Sequence, residues 1–130
     1  MNKQRVLIVD DDRSLAEATG KLLSHMDYQT TITDSVESAE AALTGDTYFD
    51  LVILDLDLGG GAQETYDLLD RLANNRIAVP PVIIFSGTPN EEVEHAVRKI
   101  GSHALLRKPT SATALVDAIE RSLNPTAGRE

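Results

Sequence analysis

Four stretches of the chain set reactive side chains directly behind short apolar runs. Asp10-Asp11-Asp12 follows Val6–Val9, and Asp55 with Asp57 follows Leu51–Leu54. Ser86-Gly87 follows Val82–Phe85, and Lys108-Pro109 comes just after His103–Leu106. Carboxylates gathered within a few Å repel one another, so they take up protons or share a cation. An oxygen-only set with neither His nor Cys favours a hard ion, Mg²⁺ first, with Mn²⁺ as a substitute. Magnesium keeps waters and usually binds through one or two carboxylates plus phosphate oxygens. A Lys beside it suits a phosphate as a point charge. The Ser hydroxyl and the backbone N–H groups at Asp57 and Gly87 suit the remaining oxygens. The chemistry implied is a phosphoryl group held beside a metal, with a carboxylate available as nucleophile and an aspartyl-phosphate as product.

Those residues must be brought together by the elements that carry them. Each of the runs Val6–Val9, Leu51–Leu54 and Val82–Phe85 is continuously apolar, as expected of a strand covered on both faces. Pro80-Pro81 opens the last of these, and Pro is tolerated at a strand's first position. Gln29–Thr33 alternates polar and apolar residues and reads as a half-exposed edge strand, and His103–Leu106 as a short fifth strand. Between the strands the period changes to that of helices. Leu15, Ala18, Leu22 and Met26 form one expected inward face, behind a cap at Asp12 or Ser14. Val36, Ala39 and Leu43 form a second within Ser35–Leu43, stopped by Gly45. Leu68, Leu69, Leu72 and Ala73 form a third within Gln63–Ala73, after the Gly59–Gly61 loop. Val93, Ala96, Val97 and Ile100 form a fourth, and Ala112, Leu115, Val116, Ile119 and Leu123 a fifth within Ser111–Leu123.

Strict strand–helix alternation predicts a single (βα)₅ α/β domain, a doubly wound parallel sheet with right-handed crossovers. An edge strand placed second in sequence predicts the order 2-1-3-4-5 of the flavodoxin-like sheets, which bind ligands beyond the strands' carboxyl ends. The reactive residues all stand at those ends. The domain is expected to span residues 1–124, with 125–130 as tail or linker stub.

The chain has 130 residues, 12 Lys and Arg, 21 Asp and Glu and a net charge of −9. Such acidity repels phosphate backbones and anionic lipid, so direct nucleic-acid or membrane binding is not expected. The absence of Cys excludes disulfides, thiolate metal sites and a Cys nucleophile. The apolar runs fall far short of the roughly 20 residues that span a bilayer, and the start of the chain does not read as a signal peptide. A cytoplasmic location is expected.

The stretches Val6-Leu-Ile-Val-Asp-Asp-Asp12, Phe49-Asp-Leu-Val-Ile-Leu-Asp55, Val82-Ile-Ile-Phe-Ser-Gly87 and Leu106-Arg-Lys-Pro109 together resemble the receiver domain of two-component response regulators. The likeness covers Arg5–Leu123. Its key positions Asp10, Asp55, Ser86 and Lys108 are separated by 45, 31 and 22 residues. The resemblance implies Asp55 as phosphoacceptor, with Asp10, Asp11, Asp55 and the main-chain carbonyl of Asp57 around Mg²⁺. It implies Ser86 on a phosphoryl oxygen and Lys108 on the phosphoryl charge, with a cis bond to Pro109. Three positions depart from the family's usual residues: Gly59 for Pro, Thr110 for Phe, and Leu105 for an aromatic that turns inward as the strand-4 hydroxyl moves. Ser86 and Leu105 are accordingly the expected switch positions.

The resemblance further implies a histidine kinase or phosphotransfer protein as donor. It also implies a phosphorelay output that follows from a changed interaction surface, with possible homodimerisation through helix 4, strand 5 and helix 5. Such a chain is not an enzyme acting on a separate substrate, but a phosphoacceptor that catalyses its own Mg²⁺-dependent phosphorylation and dephosphorylation. Two alternatives stand beside this reading. One is a receiver-like interaction module that is never phosphorylated. The other is an aspartate-nucleophile phosphohydrolase resembling the haloacid-dehalogenase type, against which stands the Asp pair 45 residues before Asp55.

Overall fold

The computed structural model describes residues 4–45, 48–55, 67–68, 70–71, 80–86, 103–107 and 112–123, of which 86, 103–107 and 112 are described in backbone alone. The described elements are, in chain order, β1 (Arg5–Val9), α1 (Arg13–His25), β2 (Gln29–Thr33), α2 (Val36–Thr44), β3 (Leu51–Asp55), β4 (Val82–Ser86), β5 (His103–Arg107) and α3 (Ala112–Leu123), the last being the expected fifth helix. Helical backbone is also present at Asp67, Leu68, Asp70 and Arg71, within the expected third helix. The remainder of that helix, the Gly59–Gly61 loop, the expected fourth helix, Lys108-Pro109 and the tail lie outside the described residues.

The strands form one parallel sheet in the order β2-β1-β3-β4-β5, as expected. Successive residues of a strand point to opposite faces, and here both faces are covered. Leu7, Val9, Val52, Leu54, Val82 and Ile84 pack on one side with Val36 and Ala39 of α2 and with Leu68. Val6, Ile8, Leu51, Ile53 and Ile83 pack on the other with Ala16 and Leu23 of α1 and Leu115 and Ile119 of α3. This explains why the central strands read as unbroken apolar runs, whereas β2, paired on one side only, is largely exposed. Pro81 sits just before β4, and its carbonyl accepts a bond from the Val52 N–H at 3.0 Å, so the strand begins without needing a Pro donor.

The face of α1 differs from expectation. The buried residues are Ala16, Gly20 and Leu23; of the expected face Leu22 is half-buried against the core, while Leu15, Ala18 and Met26 are exposed, Leu15 and Met26 by 42% and 36%. Two apolar stripes of the same period lie side by side on this helix, and the one with the smaller side chains turns inward because it lets the helix lie close to the sheet. A Cβ placed on Gly20 would stand 3.5 Å from both Ile32 Cδ1 and Thr30 Oγ1 of β2.

The helix ends are set locally. Asp12, rather than Ser14, caps α1, its carboxylate accepting the Leu15 N–H at 3.1 Å. Ser35 caps α2 by accepting the Ser38 N–H at 3.1 Å. At the other end of α1 the Tyr28 N–H donates to the Leu23 carbonyl at 3.0 Å and the Asp27 N–H to the Ser24 carbonyl at 3.1 Å. This is a Schellman closure, with Asp27 at φ 69° in the place usually held by Gly. Tyr28 and Leu23 both join the α1 side of the core, the apolar contact that accompanies this motif. Gly45 does stop α2, but with extended backbone rather than a left-handed turn; a Cβ there would press on the Ala41 carbonyl at 3.2 Å.

Candidate functional site

Parallel pairing carries the carboxyl ends of neighbouring strands to one edge of the sheet. Val9 of β1 is in register with Leu54 of β3, so Asp10 and Asp55 are the next residues along adjacent strands. Adjacent strands lie about 4.8 Å apart, which brings two carboxylates from distant points of the sequence into reach of one another. Asp10, Asp11 and Asp55 each offer a carboxylate oxygen within 4.8 Å of the others.

The three differ in burial. Asp10 and Asp55 are 6% and 3% exposed, whereas Asp11 faces solvent. A set of this kind could hold a cation, with two buried residues and one exposed residue each offering a carboxylate oxygen. The donors are all hard oxygens, the anionic charges are close, and solvent reaches one side. These properties fit a small divalent ion that retains some of its water, as Mg²⁺ does.

Asp10 is held by the backbone around it. Its own N–H donates to the Thr33 carbonyl at 3.0 Å, continuing the β1–β2 ladder by one residue. Its Oδ1 accepts the Asp12 N–H at 2.9 Å. Asp12 therefore acts twice, through its N–H on Asp10 and through its carboxylate on the first turn of α1. A side-chain-to-backbone bond two residues on is the Asx-turn that Asp readily makes, and it fixes the direction in which the chain leaves the strand. The residue pattern leaves the cap open between Asp12 and Ser14, and it carries no signal for the N–H that steadies Asp10.

Asp55 is the last residue of β3, in register with Phe85, so Ser86 is the next residue along β4 and its final one. Ser86 in turn is in register with Arg107, the final residue of β5, and Lys108 directly follows it in the chain. Leu105 pairs with Ile84 in the middle of that ladder. The expected sites at Asp57 and Lys108 and the departures at Gly59 and Thr110 lie outside the described residues.

No helix among the described residues is long and apolar enough to cross a membrane. The profile of the response regulator receiver domain matches residues 6–120. Over 113 residues the chain is 33% identical to the transcriptional regulatory protein PmrA of Pectobacterium parmentieri, an alignment covering 85% of this chain and 48% of that protein. Over 119 residues it is 34% identical to the response regulator protein FleR of Pseudomonas aeruginosa, covering 90% of this chain and 24% of that protein. The chain thus spans about half the length of one curated relative and a quarter of the other. The fold is similar to that of a CheY-like response regulator receiver domain protein from Methanospirillum hungatei JF-1, with a TM-score of 0.83 at 24% identity and coverage of 95% of this chain and 96% of that one. A receiver profile matched over nearly the whole chain, on a five-stranded sheet that brings Asp10, Asp11 and Asp55 together, makes this chain a member of the response regulator receiver domain family.

Proposed function

We propose that the chain accepts a phosphoryl group on Asp55 from a histidine kinase or phosphotransfer protein and relays that event through a change in its interaction surface. The observation that carries the reading is the meeting of Asp55 with Asp10 and Asp11 at the carboxyl edge of the sheet, in a chain of the receiver family. Asp55 is the nucleophile. One of its carboxylate oxygens forms the bond to phosphorus as the bond from phosphorus to the donor's imidazole nitrogen breaks, and the imidazole keeps that electron pair. Asp10, Asp11, Asp55 and the main-chain carbonyl of Asp57 would hold Mg²⁺, which when bound would supply positive charge that offsets the repulsion among the anionic oxygens. The Lys108 ammonium pairs with phosphoryl charge and the Ser86 hydroxyl donates to a phosphoryl oxygen. Attack by water on the same phosphorus returns the free carboxylate and inorganic phosphate, so the chain supports both its own labelling and its own reset.

The group adds nearly two negative charges. Drawing Ser86 and Lys108 toward it biases a pre-existing equilibrium in the surface of the expected fourth helix (the one carrying Val93, Ala96, Val97 and Ile100), β5 and α3, with Leu105 as the packing residue of that switch. That surface is the one proposed for homodimerisation or for an effector, and the cytoplasm is the compartment where the donor would act.

The test is intact mass after treatment with acetyl phosphate and Mg²⁺. Wild type is expected to gain one phosphoryl group, and Asp55→Asn none. Equal labelling of the variant would reject Asp55 as acceptor. An unlabelled wild type would favour the interaction module, and continuous phosphate release from an ester would favour a phosphohydrolase.

A further inference from the structure

We infer that Thr33, at the end of the edge strand β2, is a positioning residue for Asp10 and through it for the whole carboxylate cluster. The inference rests on the phosphoacceptor reading of that cluster. Thr33 is in register with Val9, the last residue of β1, and it grips the chain on both sides of that residue. Its hydroxyl donates to the Ile8 carbonyl at 3.2 Å, and its carbonyl accepts the Asp10 N–H at 3.0 Å. On the far side of Asp10 the Asp12 N–H holds Oδ1 at 2.9 Å. The Asp10 carboxylate is therefore aimed by a backbone clamped at two points, one of them built by Thr33.

The clamp matters because it acts at the site end of β2, whereas Gly20 of α1 packs beside Thr30 and Ile32 earlier in the strand. No residue of the strand is fully buried, and Ile32, its only large apolar residue, is 37% exposed. Covered faces fasten β1 to β3 on both sides, whereas at the β2 border the packing of α1 is joined by the hydrogen bonds of the ladder. Thr33 is half-buried, so its bond to Ile8 is shielded in part from competing water. Loss of the hydroxyl loosens the end of β1, and Asp10 shares a cluster only 4.8 Å across with Asp11 and Asp55. Groups that orient metal ligands through hydrogen bonds commonly change metal affinity by 10- to 100-fold when removed.

The test uses the full chain, with Mg²⁺ itself as probe. Mg²⁺ affinity is measured by calorimetry for wild type, Thr33→Val, which keeps the β-branched shape, and Thr33→Ser, which keeps the hydroxyl. Hydrogen exchange of the Asp10 amide and the thermal midpoint are read in the metal-free state. Thr33→Val is expected to bind Mg²⁺ about tenfold more weakly and to exchange the Asp10 amide faster, while its metal-free midpoint stays close to that of wild type. Thr33→Ser is expected to recover the affinity. A residue important only for stability would instead lower the midpoint and leave the affinity alone. Wild-type affinity in Thr33→Val, or equal weakness in Thr33→Ser, would overturn the inference while leaving the phosphoacceptor reading intact. Should the valine variant not fold, Thr33→Ala reads the same quantity. A wild type that binds no Mg²⁺ would overturn the phosphoacceptor reading, and this inference with it.

Discussion

Asp27 turns the chain out of α1 at φ 69°, in a region where an ordinary L-residue pays about 1–2 kcal/mol for the approach of Cβ to the following carbonyl. Asp tolerates it better than most because its short polar side chain can bond locally, and the two bonds donated by Asp27 and Tyr28 hold it there. Glycine meets no such penalty but gives back part of the gain through the greater freedom of its unfolded chain. Asp27→Gly is expected to raise the unfolding free energy by roughly 0.5–1 kcal/mol, read as a higher urea midpoint at unchanged slope. A lower midpoint would show that the aspartate side chain contributes more than its backbone strain costs. The neighbouring Tyr28 has its hydroxyl pushed above the ordinary value, first by burial and then by the negative charge of Glu120 on α3. Tyr28 packs on the same side of the core as Leu115 and Ile119 of α3.

Between elements, one ion pair ties α2 to the helical segment that contains Arg71. The Arg71 Nε and one terminal nitrogen donate to the two Glu40 oxygens at 2.8 and 2.9 Å, a two-pronged arrangement that suits a planar guanidinium. The bond to Arg71 holds the Glu40 carboxyl below its usual value, and the same bond raises Arg71. Glu40 is thus more acidic folded than unfolded, and its contribution to stability is fully present above the unfolded value. That contribution is lost as pH falls through the folded one. Arg71 keeps its proton across this range. The stability difference between wild type and Glu40→Gln is expected to be positive at neutral pH and to shrink below about pH 4, followed by denaturant unfolding at several pH values. A difference unchanged down to pH 3 would mean that packing, not charge, joins the two helices. Both groups are partly exposed, so salt should weaken the effect as well.

For the molecule as a whole, the sheet stores like charge at one edge of a chain that already carries net −9. A cation that binds the folded cluster and not the unfolded chain stabilises the fold by mass action. At a hundredfold excess over its dissociation constant Mg²⁺ is expected to add about 2.7 kcal/mol, seen as a raised thermal midpoint that chelation reverses. Asp11→Asn should remove most of the rise, since Asp11 supplies the solvent-facing oxygen. An equal rise with sodium at matched ionic strength would instead mark general screening of the acidic surface.

Much of this architecture was legible in the residues alone. Unbroken apolar runs ending in Asp10 and Asp55 can be strands only where both faces are covered, and a polar alternation at Gln29–Thr33 can belong only to an edge; the strand order and the acidic rim follow from these local patterns. Other features were decided by tertiary packing. On α1 the stripes Leu15–Met26 and Ala16–Leu23 have equal periodicity, and closeness to the sheet selected the smaller one. The grip of Thr33 on β1 and the pairing of Glu40 with Arg71 depend on register and on which helices become neighbours. Periodicity along one segment specifies what that segment is and which residues could share a face. The rotation of a helix about its axis, the residue that ends opposite another, and the partner a charge finds are properties of two segments at once, and they exist only after the sheet has assembled.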